Sequence, residues 1–126
     1  AAVLEADIIS TATLATKPLI RGELLRAGQH LDLVGAFTPD MREADDDCVT
    51  RARLYIDTEE AIKKTGEICD PITRGVISEK DIVADIFAVV RGEAQGRGRR
   101  DEITLFKSAG SALLDLATAA LAYERA

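Results

Sequence analysis

Residues 30–46 read HLDLVGAFTPDMREADD, and residues 102–110 read EITLFKSAG. The first segment is an apolar strand that breaks at Gly35 into a short polar loop, followed by a Thr-Pro-Asp helix start at residues 38–40. The second is another strand, which ends in Lys-Ser at residues 107–108 and runs directly into an apolar helix. Open α/β sheets bind ligands where the carboxyl ends of strands face helix N-termini, so both segments predict a binding site.

The overall composition excludes several classes of protein. With 126 residues, 47% of them hydrophobic and 30% charged, the chain is long enough for one globular domain with its own core. The net charge of −6 argues against binding to nucleic acid, which attracts clustered Lys and Arg. No apolar run reaches the roughly 18 residues that span a bilayer, and no secretory signal pattern is visible, so we expect no membrane partner. Cys48 and Cys69 lack metal-site spacing, so we expect reduced thiols in a cytoplasmic protein.

Apolar runs bounded by glycine and polar residues predict strands that alternate with helices. The predicted strands are residues 7–12, 30–35, 53–57 and 102–106. The predicted helices are residues 19–27 ended by Gly28, 38–51, 58–65 ended by Gly66, 82–90 after a Ser78–Asp81 capping box, and a long one from Ser108 onward. The apolar stripe of this last helix contains Ala109, Ala112, Leu113, Leu116, Ala117, Ala120 and Leu121. The alternation predicts an α/β fold, a parallel sheet with flanking helices and a long C-terminal helix.

The sequence lacks one part of a complete dinucleotide-binding fold. Such a fold begins with a strand, a GxGxxG turn and a helix, and has an acidic residue about 20 positions later. The one candidate turn, Gly96-Arg-Gly98, follows a helix and has no third glycine. We therefore expect a partial Rossmann-type sheet that forms the C-terminal portion of a longer protein.

Small hydroxyl residues mark two of the strand ends. Ser10, Thr11 and Thr13 lie at the carboxyl end of the first strand, and Ser108 follows the last. Such residues can hydrogen-bond a ligand that lies against the backbone, but they also end strands and cap helices for purely local reasons. The residues alone leave both interpretations open.

Three further groups are interpreted as structural. The acidic cluster at residues 40–47 suits a helix N-terminus and lacks the spacing of a calcium loop, so we predict no metal site. His30, the only histidine, precedes a buried strand and is expected at its polar edge. The arginines of the Gly- and Arg-rich loop 91–100 are expected in solvent, although they could meet a phosphate.

Both opening segments resemble the ornithine cyclodeaminase/mu-crystallin family, which also contains imine reductases and alanine dehydrogenases. The resemblance covers residues 6–124, and TLFKSAG at residues 104–110 is among its most recognisable motifs. It implies a nicotinamide cofactor, NAD or NADP. The positions implied to contact this cofactor are Thr13, Leu31, Asp32, Leu33, Val34, Gly35, Met41 and Ser108. The backbone of Ala109 is implied to approach the substrate.

Two positions depart from the pattern of the cyclodeaminases. Phe37 stands where those enzymes carry an Asp that performs proton chemistry on the substrate, and a phenyl ring can neither accept nor donate a proton. Met41 stands where they carry a Lys that contacts the cofactor. The sequence is closer to the branch of mu-crystallin and the Δ1-pyrroline-2-carboxylate reductases, which implies reduction of small cyclic imino acids to products such as proline. Ornithine cyclodeaminase, an alanine dehydrogenase-type enzyme and a mu-crystallin-like NADPH-dependent binding protein stay open as alternatives, and no catalytic residue is assigned.

The resemblance also implies how the chain is organised. We expect residues 1–107 to be the C-terminal part of a Rossmann NAD(P)-binding domain without its GxGxxG half. Residues 108–126 are expected to form a helix that returns toward a substrate-binding and dimerisation domain. The whole protein is implied to be a homodimer that binds a small imino or amino acid, and this chain alone is expected to be inactive.

Overall fold

The structure is a computed structural model that describes residues 2–126. Its centre is a five-stranded sheet in which every pairing is parallel. In spatial order the strands are β1 (Ile8–Thr11), β2 (His30–Leu33), β5 (Thr104–Lys107), β3 (Arg53–Ile56) and β4 (Ile82–Asp85). This arrangement confirms the predicted α/β fold with a parallel sheet.

The last strand of the sequence lies in the middle of the sheet. Leu33 at the end of β2 pairs with Thr11 of β1 on one side and with Lys107 of β5 on the other. Because all three strands run in the same direction, their carboxyl ends meet at one edge. We call this the carboxyl edge.

Six short helices surround the sheet. They are α1 (Ala2–Glu5), α2 (Asp46–Arg51), α3 (Glu60–Lys64), α4 (Gly66–Thr73), α5 (Ile86–Val90) and α6 (Ala112–Arg125). Two 3-10 turns, Gly22–Leu24 and Glu79–Asp81, connect them to the strands. The predicted capping box is present around the second turn, where Asp81 Oδ2 accepts from the Ser78 amide (2.7 Å) and hydroxyl (3.0 Å).

One face of the sheet carries the hydrophobic core. Its members include Ile9, Leu31, Leu33, Leu54 and Leu105 from the strands, and Cys48 and Val49 from α2. Alternate residues of a strand point to opposite faces, so His30 and Asp32 of β2 lie on the other face and are half-buried. His30 Nδ1 meets the hydroxyl of Thr104 at 2.8 Å, in agreement with the predicted polar strand-edge role.

The predicted helix over residues 38–51 is only partly present. The helical part is α2, and its N-cap is Asp45 rather than Thr38. The cause is tertiary, because the Glu43 carbonyl accepts two backbone N–H groups from residues 19 and 20 at 2.8 and 2.9 Å. This pairing keeps the chain before Asp45 extended, so a proline and acidic residues do not start a helix there.

The same pairing explains a second correction. Residues 19–27 were expected to form a helix, yet they contain only a short 3-10 turn. The amide groups of residues 19 and 20 donate to the Glu43 carbonyl and not to a carbonyl within a helix. Gly28 does end this segment, with a φ of +84° that favours glycine.

Two more helix predictions need correction. Residues 82–90 contain β4 followed by α5, because Ile82 pairs with Leu54 of β3 and Asp85 then caps the helix through Oδ1 to the Ala88 amide (2.7 Å). The helix α3 does end before Gly66, but Gly66 then begins α4, a helix that was not predicted. Its missing side chain matters, since a Cβ there would overlap the carbonyl oxygens of Pro39 and Met41.

The final helix begins later than expected and lies in solvent. It starts at Ala112, where the hydroxyl of Ser111 accepts from the Leu113 amide at 3.3 Å, so Ser111 and not Ser108 is the cap. Every residue from Ala112 to Ala126 is exposed. The predicted apolar stripe is therefore without a packing partner among residues 2–126.

A four-residue ion-pair network joins the loop before α2 to α4. Arg42 pairs with Asp46 (2.9 Å) and Asp70 (2.8 Å), and Arg74 pairs with the same two carboxylates at 2.7 and 2.9 Å. Hydrogen bonds from Arg74 are the main reason that the pKa of Asp46 and of Asp70 lies below its ordinary value of 3.8. A lowered carboxyl pKa stabilises the fold above the ordinary value, and this contribution is lost as the pH falls through the lowered pKa.

We predict that Arg74→Met lowers the free energy of unfolding at pH 7 by a small but measurable amount, since these side chains are partly solvated. The difference from the wild type should shrink below pH 4, because protonated carboxyls no longer gain from Arg74. Urea unfolding at pH 7 and pH 3 measures both values. Arg21→Met, in the more exposed pair with Glu23, is the control and should change neither. An Arg74→Met effect that persists unchanged at pH 3 would contradict the network.

Candidate functional site

The carboxyl edge brings together residues that are far apart in the sequence. Beyond β1 and β2 the backbones stay paired, with Ala36 N donating to the Thr13 carbonyl (3.2 Å) and Gly35 N to the Thr11 carbonyl (3.3 Å). On the other side of β2, Ser108 N donates to the Leu33 carbonyl (3.1 Å). The three segments singled out from the sequence thus form one continuous edge.

Gly35 is required because the neighbouring segment approaches its backbone closely. A Cβ at this position would overlap the backbone of Thr13 and the carboxylate of Glu43. The turn itself is made by the next residue, since Ala36 has a φ of +50°, a conformation that costs a non-glycine residue roughly 1–2 kcal/mol. Gly35 therefore serves close packing, and the positive φ of the turn falls on Ala36.

Apolar side chains lie exposed on the loops that leave this edge. Leu14 after β1 is 68% exposed, and Val34 and Phe37 after β2 are 45% and 51% exposed. Thr13, which directly precedes Leu14, is half-buried, and its hydroxyl accepts from the Ala15 amide at 3.2 Å. An apolar surface next to a polar backbone edge suits a flat ring that carries a polar group.

The turn that follows β5 is held by one buried carboxylate. Oδ2 of Asp57 accepts from the Ser108 hydroxyl (2.9 Å) and from the amides of Ala109 (2.7 Å) and Gly110 (3.0 Å). Its Oδ1 accepts from the Thr58 amide at 2.6 Å, so both oxygens are engaged. Asp57 is only 2% exposed. Ser108 is thus held in place, and Ala109 is presented at the edge with its orientation fixed.

Sequence reasoning did not single out Asp57. It was placed at the end of a predicted strand, where an Asp is common for local reasons. The signal that could have found it is that β3 and β5 are neighbours, which puts Asp57 beside Ser108. That neighbour relation is a property of the sheet and not of either segment.

The side chains of the remaining candidate residues point away from the exposed surface of the edge or lie in the loop before α2. Leu31 and Leu33 are fully buried in the core. Asp32 lies on the opposite face of the sheet, where Oδ2 accepts from the Ser10 hydroxyl at 2.8 Å. Met41 is half-buried in the loop before α2, and its amide donates to the Thr38 carbonyl at 3.2 Å. Contacts of these four with a cofactor stay predictions.

Three fully buried charged side chains lie beneath the edge, namely Glu43, Glu67 and Lys107. Glu67 Oε2 lies 3.3 Å from the Lys107 ammonium nitrogen. Burial raises the pKa of Glu67, while hydrogen bonds from the Glu43 amide and the charge of Lys107 act in the opposite direction. None of the three is recognisable from the sequence as a residue of the site.

Other chemistry is not supported by the described residues. Within residues 2–126 there is no group of three or more His, Cys, Asp or Glu side chains that could hold a metal ion. Both cysteines are free, and burial is the main reason that the pKa of Cys48 rises to about 12, which keeps that thiol protonated. No helix in this part of the chain is long and apolar enough to cross a membrane.

Comparison with known proteins identifies the family of the chain. The profile of the ornithine cyclodeaminase/mu-crystallin family matches residues 1–126. The chain belongs to this family. A Δ1-pyrroline-2-carboxylate reductase of Paracoccus denitrificans is 47% identical over 117 residues, which cover 92% of this chain and 37% of that protein. The chain thus spans well under half the length of this curated relative.

Two solved structures of similar proteins place nicotinamide nucleotides on the same fold. The Δ1-pyrroline-2-carboxylate reductase of Thermococcus litoralis, in complex with NADH and L-proline, is 40% identical with a TM-score of 0.91. The match covers 98% of this chain and 38% of that one. An archaeal alanine dehydrogenase dimer with bound NAD is 35% identical with a TM-score of 0.85, over 94% of this chain and 37% of the other.

We predict that Asp57→Asn destabilises the protein by about 1–3 kcal/mol, because the new amide group must face either the Thr58 N–H or the three donors of the Ser108 turn. Amide hydrogen exchange at Ala109 and Gly110 should become faster. Urea unfolding and exchange mass spectrometry measure these effects.

The matched control is Asp85→Asn. Asp85 caps α5 with a single hydrogen bond, and Asn caps helices about as well as Asp. This variant should therefore stay close to the wild type in both measurements. Equal behaviour of the two variants would show that Asp57 does not hold the turn.

Proposed function

We propose that this chain is the nicotinamide-binding part of an NAD(P)-dependent reductase of small cyclic imino acids, with Δ1-pyrroline-2-carboxylate as the substrate and proline as the product. The observation that carries the proposal is the carboxyl edge itself, where Thr13, Gly35 and Ser108 meet beside an exposed Phe37. The relatives named above support the same chemistry, since two of them are Δ1-pyrroline-2-carboxylate reductases.

The residues of the edge fit the nicotinamide end of a dinucleotide. Val34 and Phe37 offer apolar surface for a ring, and the Thr13 hydroxyl, which accepts from the Ala15 amide, still has its proton to donate to the carboxamide oxygen. The pyrophosphate of such a cofactor needs a glycine-rich turn at a helix N-terminus, and the sequence has no GxGxxG pattern. The fit therefore concerns the nicotinamide half of the cofactor alone, and the sequence does not distinguish NAD from NADP.

Each part of the edge has a distinct task in this proposal. The nicotinamide, when bound, supplies the hydride that reduces the carbon–nitrogen double bond. Thr13 and Gly35 form the surface on which the ring lies, and Phe37 and Val34 keep water from it. The turn held by Asp57 orients Ser108 toward the ring and the Ala109 backbone toward the substrate, so that the reacting atoms are presented in one geometry.

Phe37 separates imine reduction from ornithine cyclisation. Cyclisation with loss of ammonia requires proton transfers on the amino-acid substrate, and a phenyl ring cannot perform them. Reduction of a preformed cyclic imine needs orientation of the substrate more than a dedicated base. The exposed position of Phe37 at the edge is consistent with a side chain that lines the site without reacting.

An alanine dehydrogenase-type activity is the second candidate. The archaeal alanine dehydrogenase shares the fold closely, with a TM-score of 0.85. The edge of this chain suits either activity, because both use a nicotinamide and a small substrate. The choice between them depends on groups that bind the substrate.

The organisation of the whole protein is part of the proposal. We infer that residues 1–107 bind the nicotinamide side of the cofactor and that the exposed helix α6 packs on a substrate-binding domain, with the whole protein a homodimer. The dimeric state of the archaeal alanine dehydrogenase supports this inference. The isolated 126-residue chain should bind NAD(P)H weakly and turn over no substrate, because the phosphate-binding turn is not in it.

The deciding experiment follows NADPH and NADH oxidation at 340 nm with the full-length protein. We expect rapid oxidation with Δ1-pyrroline-2-carboxylate, little with pyruvate plus ammonia, and no ammonia release from ornithine. Faster turnover with pyruvate and ammonia would favour the alanine dehydrogenase. No oxidation with any of these substrates, despite tight NADPH binding, would favour a binding protein.

A glycine pair links this activity to the carboxyl edge. We predict that Gly35→Ala lowers kcat/KM by about 100-fold or more, since its Cβ displaces the Thr13 segment and small misplacements of reacting groups have effects of this size. Gly96→Ala is the control, because its nearest neighbour would be Val89 Cγ1 at 4.0 Å. Circular dichroism confirms that both variants are folded, and full activity in folded Gly35→Ala would place the site elsewhere.

A further inference from the structure

The charged side chains beneath the carboxyl edge have no task in the function proposed so far. Glu43, Glu67 and Lys107 have no solvent exposure. They come from the loop before α2, from α4 and from the end of β5, so three separate elements deliver them to one place. We call them the buried charge cluster.

Two members of the cluster hold the backbone of the edge directly. Glu43 Oε1 accepts a hydrogen bond from the Thr13 amide at 2.6 Å. The ammonium of Lys107 donates to the Gly35 carbonyl oxygen. Thr13 and Gly35 are the two residues whose backbones face each other at the end of β1 and β2. The backbone of each residue is therefore held by a hydrogen bond to a buried charged side chain.

The third member connects the other two. Glu67 Oε1 accepts from the backbone amide of Glu43, and more distantly from that of Ala44 at 3.4 Å. Its Oε2 lies 3.3 Å from the Lys107 ammonium. The supports of Thr13 and Gly35 are thus one connected structure, which sets the position of the two backbone segments relative to each other.

Stability alone does not account for this cluster. Two carboxylates and one ammonium are removed from water, and well-packed apolar residues often stabilise a fold as well as a buried ion pair does. Within residues 2–126, Glu43 Oε2 has no hydrogen-bond partner, which adds a cost that a structural device would avoid. The charged side chains form directional hydrogen bonds with the Thr13 amide and the Gly35 carbonyl, and apolar side chains could not form these bonds.

We propose that Glu43, Glu67 and Lys107 are positioning residues that hold Thr13 and Gly35 as a preformed surface for the nicotinamide ring. This inference rests on the proposed function, since it names what the preformed surface is for. A surface that is already ordered before binding costs no ordering on binding, which raises affinity for the cofactor. The cluster acts on the cofactor side of the edge, whereas Asp57 acts on the turn at Ser108.

The test uses the double variant Lys107→Met/Glu67→Gln in the full-length protein. It removes one positive and one negative charge together, so the net charge of the cluster is unchanged, and the glutamine oxygen can still accept from the Glu43 amide. Binding of NADH is followed by nicotinamide fluorescence. We expect the Kd and the KM for NADH to rise about tenfold, equivalent to about 1.4 kcal/mol, while the KM for the imino acid changes much less. The thermal midpoint should stay within a few degrees of the wild type.

Cys48→Ala is the control for general destabilisation. Its thiol donates to the Ile20 carbonyl (3.7 Å) in the core, and the side chain contributes nothing to the carboxyl edge. This variant should lower the thermal midpoint and leave the Kd for NADH unchanged. An unchanged NADH Kd in the double variant, or an equal loss of affinity in Cys48→Ala, overturns the inference.

A second measurement tests the positioning role of the buried charge cluster and needs no cofactor. Hydrogen exchange of the segments 11–15 and 34–38 in the free protein should be faster in the double variant and unchanged in Cys48→Ala. If the wild type fails to bind NADH, the proposed function is wrong, yet the exchange result still shows whether the cluster orders these segments. Exchange that is identical in all three proteins overturns the inference on its own.

Discussion

The insertion of β5 between β2 and β3 is the constraint on which the rest of the structure depends. Parallel pairing on both sides of β5 puts its last residue, Lys107, level with Leu33 and with Ile56. The turn after β5 then reaches Asp57, and the Lys107 ammonium reaches the Gly35 carbonyl. Long-range strand order, and not any local motif, thus assembles the site from segments more than 50 residues apart.

The sequence predicted most of the sheet because buried parallel strands carry a local signal. Four of the five strands were found as apolar or β-branched runs. The missed strand, β4, is at the edge of the sheet, and its apolar residues fit helical spacing together with those of α5. The helix predicted before α2 failed for the opposite reason. There the local signals for a helix were strong, but backbone pairing between Glu43 and residues 19–20 overrode them.

For the candidate site, the sequence pointed to residues whose type has a local meaning at the end of a strand. Thr13, Gly35 and Ser108 were recognisable as small or hydroxyl residues at strand ends, and the structure brings them to one edge. Asp57 and the buried charge cluster were not recognisable, because an Asp, Glu or Lys near a loop is normally a solvated residue. Glu43 was attributed to the dipole of a helix that does not extend to it. Whether a charged side chain is buried depends on tertiary packing, so such residues can be identified only once the fold is known.

The position of Lys107 also changes how the last motif is understood. A lysine next to Ser108, at the end of a strand, would ordinarily be considered a candidate for binding the carboxylate of an amino or imino acid. Here it is fully buried, donates to the Gly35 carbonyl and pairs with Glu67, so its charge is already compensated within the fold. A substrate carboxylate placed beside Ala109 therefore gains little from it. In the proposed function, recognition of that carboxylate therefore falls to another cation, and Lys107 supports the backbone of the carboxyl edge through the Gly35 carbonyl.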